Sequence, residues 1–373
     1  MSMLFSPASV GSLALRNRLV RSATAEMLAD DTGRPTEKLA DLYRELARGG
    51  VGLIVSGHMF VHPGGKAHPQ MTGIHDDDLI PDLQRLADAV HLEGGRIAAQ
   101  INHAGRQTRS DDVEQPIGPS DEQVVPPGRG ARAMTLDEIE ATIDSYAQAA
   151  RRAVEARFDA VQIHAAHGYL VSQFLSPLAN RRNDEWGGNL ENRTRFLDSV
   201  ARACREAIGP NVPLLIKLGL RDEAPNGLDI EEGADVVSRL AGFGIDAVEL
   251  SGGVAETAGF NILSGIEIGI GEAYFRPWAK RAQPATDLPV ILVGGFRSAA
   301  VMEEVLESGD AQFISMCRPF ICEPDLPDRL AAGQPAASCV SKNRCWPRRR
   351  GEGISCKCRG VDRPQQSPSV VRP

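Results

Sequence analysis

The chain has 373 residues, of which 42% are hydrophobic, 24% charged and 5% aromatic, with a formal net charge of -8. That length buries a sizeable core, as two average domains or one large α/β barrel, and the composition is not that of a disordered chain. The acidic balance argues against nucleic acid or an anionic membrane surface as a partner, because both call for a basic face.

No apolar run approaches the roughly 20 residues of a membrane helix. The N-terminal MSMLFSPASVGSLALRNR lacks the charged start and long apolar block of a secretory signal. The seven cysteines are an odd count in a large chain and do not read as a disulfide framework. These features together place the expected compartment in the cytoplasm.

Eight short apolar runs follow in chain order: LVRSAT from Leu19, GLIVSG from Gly52, RIAAQIN from Arg96, AVQIHAA from Ala160, PLLIKLG from Pro213, AVELSGG from Ala247, VILVGG from Val290 and FISMC from Phe313. Near-continuous apolar character is what parallel strands covered on both faces require. Amphipathic patterns lie between them. Leu79, Leu83, Leu86 and Val90 form one stripe. Leu136, Ile139, Ile143, Ala147, Ala150 and Val154 form another, opened by Thr135-x-x-Glu138, a capping-box pattern. Similar patterns cover Thr36 to Arg48, Asn192 to Ile208, Ile230 to Leu240 and Ser298 to Leu306. The alternation predicts an α/β fold, a (β/α)8 TIM barrel over residues 1–335, with a doubly wound sheet as the alternative.

Two parts depart from a minimal barrel. A Pro- and Gly-rich stretch from His103 to Met134 separates the third strand from its helix, and long βα loops lie on the face where barrel active sites are built. Residues 336–373 form a Cys- and Arg-containing tail, whose RCWPRRR and PQQSPSVVRP read as flexible or interface-forming.

Chemistry on such a barrel belongs at the C-terminal ends of the strands. Those ends carry Ser22-Ala23-Thr24, Gly57-His58, Gln100, the run His164-Ala165-Ala166-His167-Gly168-Tyr169, Lys217, Ser251-Gly252-Gly253, Gly294-Gly295 and Cys317-Arg318. The last two pairs follow strands seven and eight, where barrels often bind phosphate. Gly294-Gly295 lets the backbone approach closely, and Arg318 can add a bidentate contact. No strand leads into G-x-G-x-x-G and a helix, so a separate dinucleotide domain is not expected. A phosphate-bearing cofactor seated in the barrel fits, and flavin mononucleotide (FMN) is of that kind.

HAAHGYLVSQFLSPLANRRNDEWGGNLENRTRF, with QINHAGRQ and RNRLVRSAT, resembles the Old Yellow Enzyme family of flavin-dependent oxidoreductases, over roughly residues 1–335. The resemblance implies FMN at the strand ends, reduced by NADH or NADPH. An α,β-unsaturated carbonyl compound then takes the nicotinamide's place in the same pocket. It implies Ser22, Ala23 and Thr24 beside the isoalloxazine, Gly57 giving its edge room, and Gln100 at its pyrimidine end. Lys217 falls where the family places a cation near N1 and C2=O, and Gly294, Gly295, Cys317 and Arg318 fall at the phosphate. His164 and His167 match the pair that grips the substrate carbonyl, and Tyr169 the proton donor. Ala25, Glu26 and His58 face the substrate pocket, the latter two biasing it toward something polar or basic.

Larger relatives carry a four-iron cluster after the barrel. Here Cys339-Val340-Ser341-Lys342-Asn343-Arg344-Cys345 has Lys342 where the second cysteine belongs, which argues against a cluster. Cys356 and Cys358 with Cys339 and Cys345 leave zinc as the other option, and the expectation is no metal. Partners implied are a small-molecule substrate and copies of the chain in a homo-oligomer, with neither nucleic acid nor membrane. Two alternatives stay open: a family member acting on amines or other non-enone substrates, and a flavin-free lyase or aldolase using Lys217 as a Schiff-base lysine, or a barrel that only binds a ligand.

Overall fold

The eight apolar runs become eight strands of one closed parallel sheet in a computed structural model that describes residues 2–121, 130–254 and 262–358. They are β1 (Leu19–Arg21), β2 (Leu53–Val55), β3 (Ile97–Asn102), β4 (Ala160–Ala165), β5 (Leu214–Gly219), β6 (Ala247–Ser251), β7 (Val290–Val293) and β8 (Phe313–Met316). Each pairs in parallel with its neighbour in sequence, and β8 returns to β1. The fold is a (β/α)8 barrel, and the doubly wound alternative falls because the sheet closes.

Helices occupy the connections: α1 (Glu37–Arg48), α2 (Ile80–His91), α3 (Leu136–Glu155), α4 (Leu190–Ile208), α5 (Ile230–Arg239), α6 (Arg276–Ala282), α7 (Ala299–Glu307) and α8 (Leu326–Ala331). The start of α3 is fixed by the capping box read from the sequence. Thr135 accepts from the Glu138 amide, and Glu138 reaches back to the Thr135 amide. Its buried face, Ile139, Thr142, Tyr146, Ala149, Ala150 and Ala153, follows the helical period and packs against the sheet. Helices α6 and α8 carry patterns too short to stand out in the sequence.

The barrel interior is built in layers, because side chains alternate along each strand. Val20, Ala98, Ala160, Leu215, Ala247, Ile291 and Phe313 fill an apolar layer. An antiparallel hairpin, Ala8–Val10 with Leu13–Leu15, adds Val10 and Leu15 to the same cluster. Each of the larger side chains contributes about 1.5–3 kcal/mol by burial. Two residues further along the strands the layer turns polar: Ser22, Gln100, Gln162, Lys217, Glu249 and Ser315, all buried. That polar layer is the floor of the site.

The described part of the tail departs from the flexible reading. Residues 336–358 pack on the barrel: Ala337 N donates to Arg297 O at 2.8 Å, Ile354 N to Glu26 O at 3.0 Å, and Arg350 pairs with Asp31. PQQSPSVVRP lies outside the described residues.

Candidate active site

A cavity of about 490 Å³ opens at the C-terminal ends of the strands, in the size range of roughly 300–1,000 Å³ usual for small-molecule sites. Thirteen of the residues singled out in the sequence line it: Ser22, Ala23, Thr24, Ala25, His58, Gln100, His164, His167, Tyr169, Lys217, Gly295, Cys317 and Arg318.

Strand register assembles the floor. Lys217 on β5 stands level with His164 on β4 and with Glu249 on β6. Lys217 Nζ lies 2.9 Å from Glu249 Oε1 and 2.7 Å from Ser22 Oγ, and Ser22 and Ser315 donate to the same carboxylate oxygen at 2.7 and 2.9 Å. Gln162 donates to Glu249 Oε2 at 3.0 Å and accepts from Gln100 Nε2 at 2.7 Å. Burial alone pushes the Glu249 carboxyl up. The Lys217 ammonium and the hydrogen bonds from Ser22, Lys217 and Gln162 outweigh it and hold the group below its ordinary value.

Above this floor sit three rings from one turn. His167 and Gly168 both take left-handed backbone, at φ 61° and 76°. For the histidine that conformation is uncommon, and it turns the chain sharply between β4 and the short helix Leu170–Leu175. The His164 and His167 rings meet edge-on with centroids 5.2 Å apart, and Tyr169 lies 4.9 Å from His164. The Ala166 amide donates to His164 Nδ1 at 3.3 Å, which leaves the proton on Nε2 as a donor. His167 Nε2 is 2.7 Å from Ser251 Oγ.

Burial holds all three histidines of this wall neutral. It brings His58 down to about 3, with the His68 and His167 rings adding to the effect, brings His167 down to about 3, with Lys217 adding and Glu249 opposing, and takes His164 well below its ordinary value. The Tyr169 phenol is pushed up to about 12 by burial, so it keeps its proton. The wall thus carries uncharged imidazoles beside a protonated phenol.

At the other end of the cavity, Gly295 has φ 76° and follows Gly294 at φ 143°, conformations that leave close backbone approach to glycine. Arg318 reaches Leu263 O at 2.7 Å and Asn343 Oδ1 at 2.5 Å, beside the tail residues Ser341 and Cys345 that also line the cavity. Thr24 Oγ1 and Cys317 Sγ are 2.9 Å apart.

Three expected residues do not reach the cavity. Glu26 was expected to face the substrate; instead it is buried away from it, ion-paired to Arg21 at 2.7 Å and accepting from Tyr43 at 2.9 Å. A carboxylate in that setting is spent on the buried guanidinium. Gly57 was expected to clear the flavin edge. A Cβ there would fall 1.7 Å from Glu26 Oε2 and 2.6 Å from Thr24 O, so its glycine makes room for Glu26. Gly294 lies behind Gly295 and does not line the cavity.

The sequence reading passed over Glu249, Gln162, His68, Arg109 and the tail. Glu249 left a signal, a single acid in the apolar run AVELS level with Lys217. Gln162 is likewise a lone polar residue in the apolar run AVQIHA, whereas His68, Arg109 and the tail residues arrive from loops and leave no signal. Among the described residues, no three or more His, Cys, Asp or Glu side chains are arranged to hold a metal ion. None of their helices is long and apolar enough to cross a membrane.

A parallel barrel with a cation-bearing, glycine-edged cavity at its C-terminal face has the build of a flavin mononucleotide site. The chain matches the family model described as NADH:flavin oxidoreductase / NADH oxidase over residues 3–337 and belongs to that family. It is 38% identical over 336 residues to a metal reductase of Desulforamulus reducens, covering 90% of this chain and 49% of that protein. The chain thus spans about half the length of that relative. The fold matches an old yellow enzyme homologue from Zymomonas mobilis with TM-score 0.79 and 30% identity, over 90% of this chain and 94% of the other. It also matches a histamine dehydrogenase from Rhizobium sp. 4-9 with TM-score 0.80 and 26% identity, over 89% of this chain and 48% of the other. Membership of a flavin oxidoreductase family speaks against the flavin-free aldolase alternative.

Proposed function

We propose that the chain uses NADH or NADPH to reduce the C=C bond of α,β-unsaturated carbonyl compounds. The observation that carries this reading is the grouping of His164, His167 and Tyr169 on one wall, two neutral imidazoles beside a protonated phenol. The residues present fit FMN. A cation and amides lie at the polar floor, a glycine edge and Arg318 lie at the far end, and the cavity is large enough. Lys217 and Gln100 would hold the pyrimidine end, Ser22, Ala23 and Thr24 the ring face, and Gly295, Cys317 and Arg318 the phosphate, with Gly294 behind them shaping the turn. When bound there, FMN would supply hydride-transfer chemistry between a nicotinamide and an alkene.

The chain's own residues do the rest. His164 donates from Nε2 toward the substrate carbonyl oxygen, and His167 is steered to the same point by Ser251. As charge grows on that oxygen, each aimed donor is worth roughly 3 kcal/mol. Tyr169 delivers the proton to the α-carbon, which balances the hydride added at the β-carbon. Apolar walls from Met27, Val254 and Ile354 exclude water. A homo-oligomer is part of the same reading, with exposed Ile268 and Ile270 as apolar side chains a contact would cover.

A second reading, oxidation of amines, draws on the likeness to the histamine dehydrogenase. Rapid mixing separates the two. Flavin bleached with NAD(P)H is mixed with 2-cyclohexenone, and oxidised flavin is mixed in parallel with an amine, which would bleach it under the second reading. Return of the colour with the enone supports the proposal, and no return with any enone refutes it.

A further inference from the structure

Three cationic side chains line the cavity, Lys217, Arg318 and Arg109, and its described lining residues include no aspartate or glutamate. Two of the three are engaged. Lys217 is paired with Glu249, and Arg318 is held by Leu263 O and Asn343 Oδ1 at the glycine edge. Arg109 is different. Its backbone is pinned where the long loop after β3 crosses the cavity: its amide donates to Ala67 O at 2.7 Å, and the preceding Thr108 hydroxyl donates to Lys66 O at 2.5 Å. Its guanidinium has no hydrogen-bond or ion-pair partner among the described residues. The site therefore presents one uncommitted positive charge, and a guanidinium matches a carboxylate in two parallel hydrogen bonds.

Two imidazoles beside it are unspent as well. Asn102 Nδ2 lies 3.0 Å from His58 Nδ1, and donation from the amide leaves His58 Nε2 carrying its proton. That buried Nε2 has no partner among the described residues, nor do the two ring nitrogens of His68. The His58 ring lies 5.7 Å from His68 and 5.2 Å from Tyr169, so this corner adjoins the proton donor. The charge of Arg109 is felt at both Tyr169 and His68. A buried donor left unpaired costs about 1–3 kcal/mol, a cost that an acceptor-rich group on the substrate would remove.

We propose that Arg109, His58 and His68 form an anion subsite on the Tyr169 side of the cavity, and that the substrate is an α,β-unsaturated carbonyl compound bearing a carboxylate. The inference rests on the ene-reduction reading and deepens it. It departs from the bias expected from the sequence, where Glu26 and His58 pointed to a polar or basic substrate. With Glu26 turned away onto Arg21, the cavity's electrostatics favour an acid and disfavour an amine.

The test compares trans-4-oxo-2-pentenoate with its methyl ester, which keeps the enone and loses the charge. Dissociation constants for the oxidised, FMN-loaded enzyme are measured by calorimetry, where no turnover takes place. The acid is expected to bind about tenfold more tightly than the ester, as a charge-assisted pair implies. That ratio should fall to about one in Arg109→Met and be partly kept in Arg109→Lys, with the same FMN content per chain confirming that both variants fold. An unchanged ratio in Arg109→Met overturns the proposal. So does a variant that loses discrimination between NADPH and NADH while keeping the acid-to-ester ratio, because the anion at Arg109 would then be the dinucleotide's phosphate. If the ratio behaves as expected but neither compound reoxidises the reduced enzyme, the subsite stands and ene reduction fails.

Discussion

Lys217 Nζ and Glu249 Oε1 lie 2.9 Å apart on adjacent barrel strands, with side chains 5% and 0% exposed. The register of β5 against β6 makes them neighbours. A lysine alone in that layer would carry a full buried charge under the cavity. Glu249, satisfied by Ser22, Ser315 and Gln162, makes the floor neutral overall while leaving the ammonium on the cavity side. Breaking such a pair from one side costs more than the pair contributes, because the remaining charge is stranded.

Glu249→Gln should therefore leave Lys217 uncompensated and stabilise the reduced, anionic flavin. The midpoint potential of the bound flavin is expected to rise by the equivalent of about 1–4 kcal/mol, the Coulomb energy of two unit charges about 4 Å apart between the dielectric of water and an effective value near 20. Lys217→Met strands the carboxylate instead, and should cost about 3–5 kcal/mol of stability and lower FMN content. Redox titration and denaturant unfolding check the two outcomes.

Tyr169→Phe should slow enone reduction by about 10²–10⁴-fold, the usual contribution of a positioned acid. Reduction of the flavin by NAD(P)H needs no proton from Tyr169 and should change little. Separate stopped-flow measurements of the two half-reactions give the answer, and equal losses in both would remove Tyr169 from the role of proton donor.

Acid should weaken the fold early. Burial lowers His58, His103 and His167 to about 3 each, while an unfolded histidine titrates near 6.5. Between those values the unfolded chain binds protons that the folded chain refuses, so stability falls as pH drops through that window. Glu249 adds to the loss further down, since its lowered folded value protects only above the ordinary carboxylate range. Urea midpoints measured from about pH 7 down to about pH 5 should decline steadily.

Glu26→Ala strands the buried Arg21 guanidinium, and should cost about 3–5 kcal/mol of stability. Preference between acidic, neutral and basic enones should not follow it, because Glu26 does not line the cavity. A changed charge preference in this variant, measured with folded protein, would return Glu26 to the substrate side.

The barrel was legible because its signal is local. Each strand is a run of apolar residues, and α3 announces itself with Thr135 and Glu138. The HAAHGY turn was legible because all three rings come from one segment. Glu249 and Gln162 were harder to read, since a lone polar residue in a strand gains meaning only when the neighbouring strand supplies its partner. Arg109 and the tail residues Ser341, Asn343 and Cys345 reach the cavity from distant loops, and nothing in their own neighbourhood reveals that approach. Glu26 was misplaced for a related reason. Ala25 and Met27 line the cavity, but the residue between them points the other way, toward a buried arginine that the sequence shows without its position.

The most direct test of the central claim is the visible spectrum of the purified full chain, native and after denaturation, with the released chromophore identified by mass. A yellow protein that releases one FMN per chain on denaturation is the expected result. A chain that stays colourless after incubation with FMN, while remaining folded by circular dichroism, would contradict it.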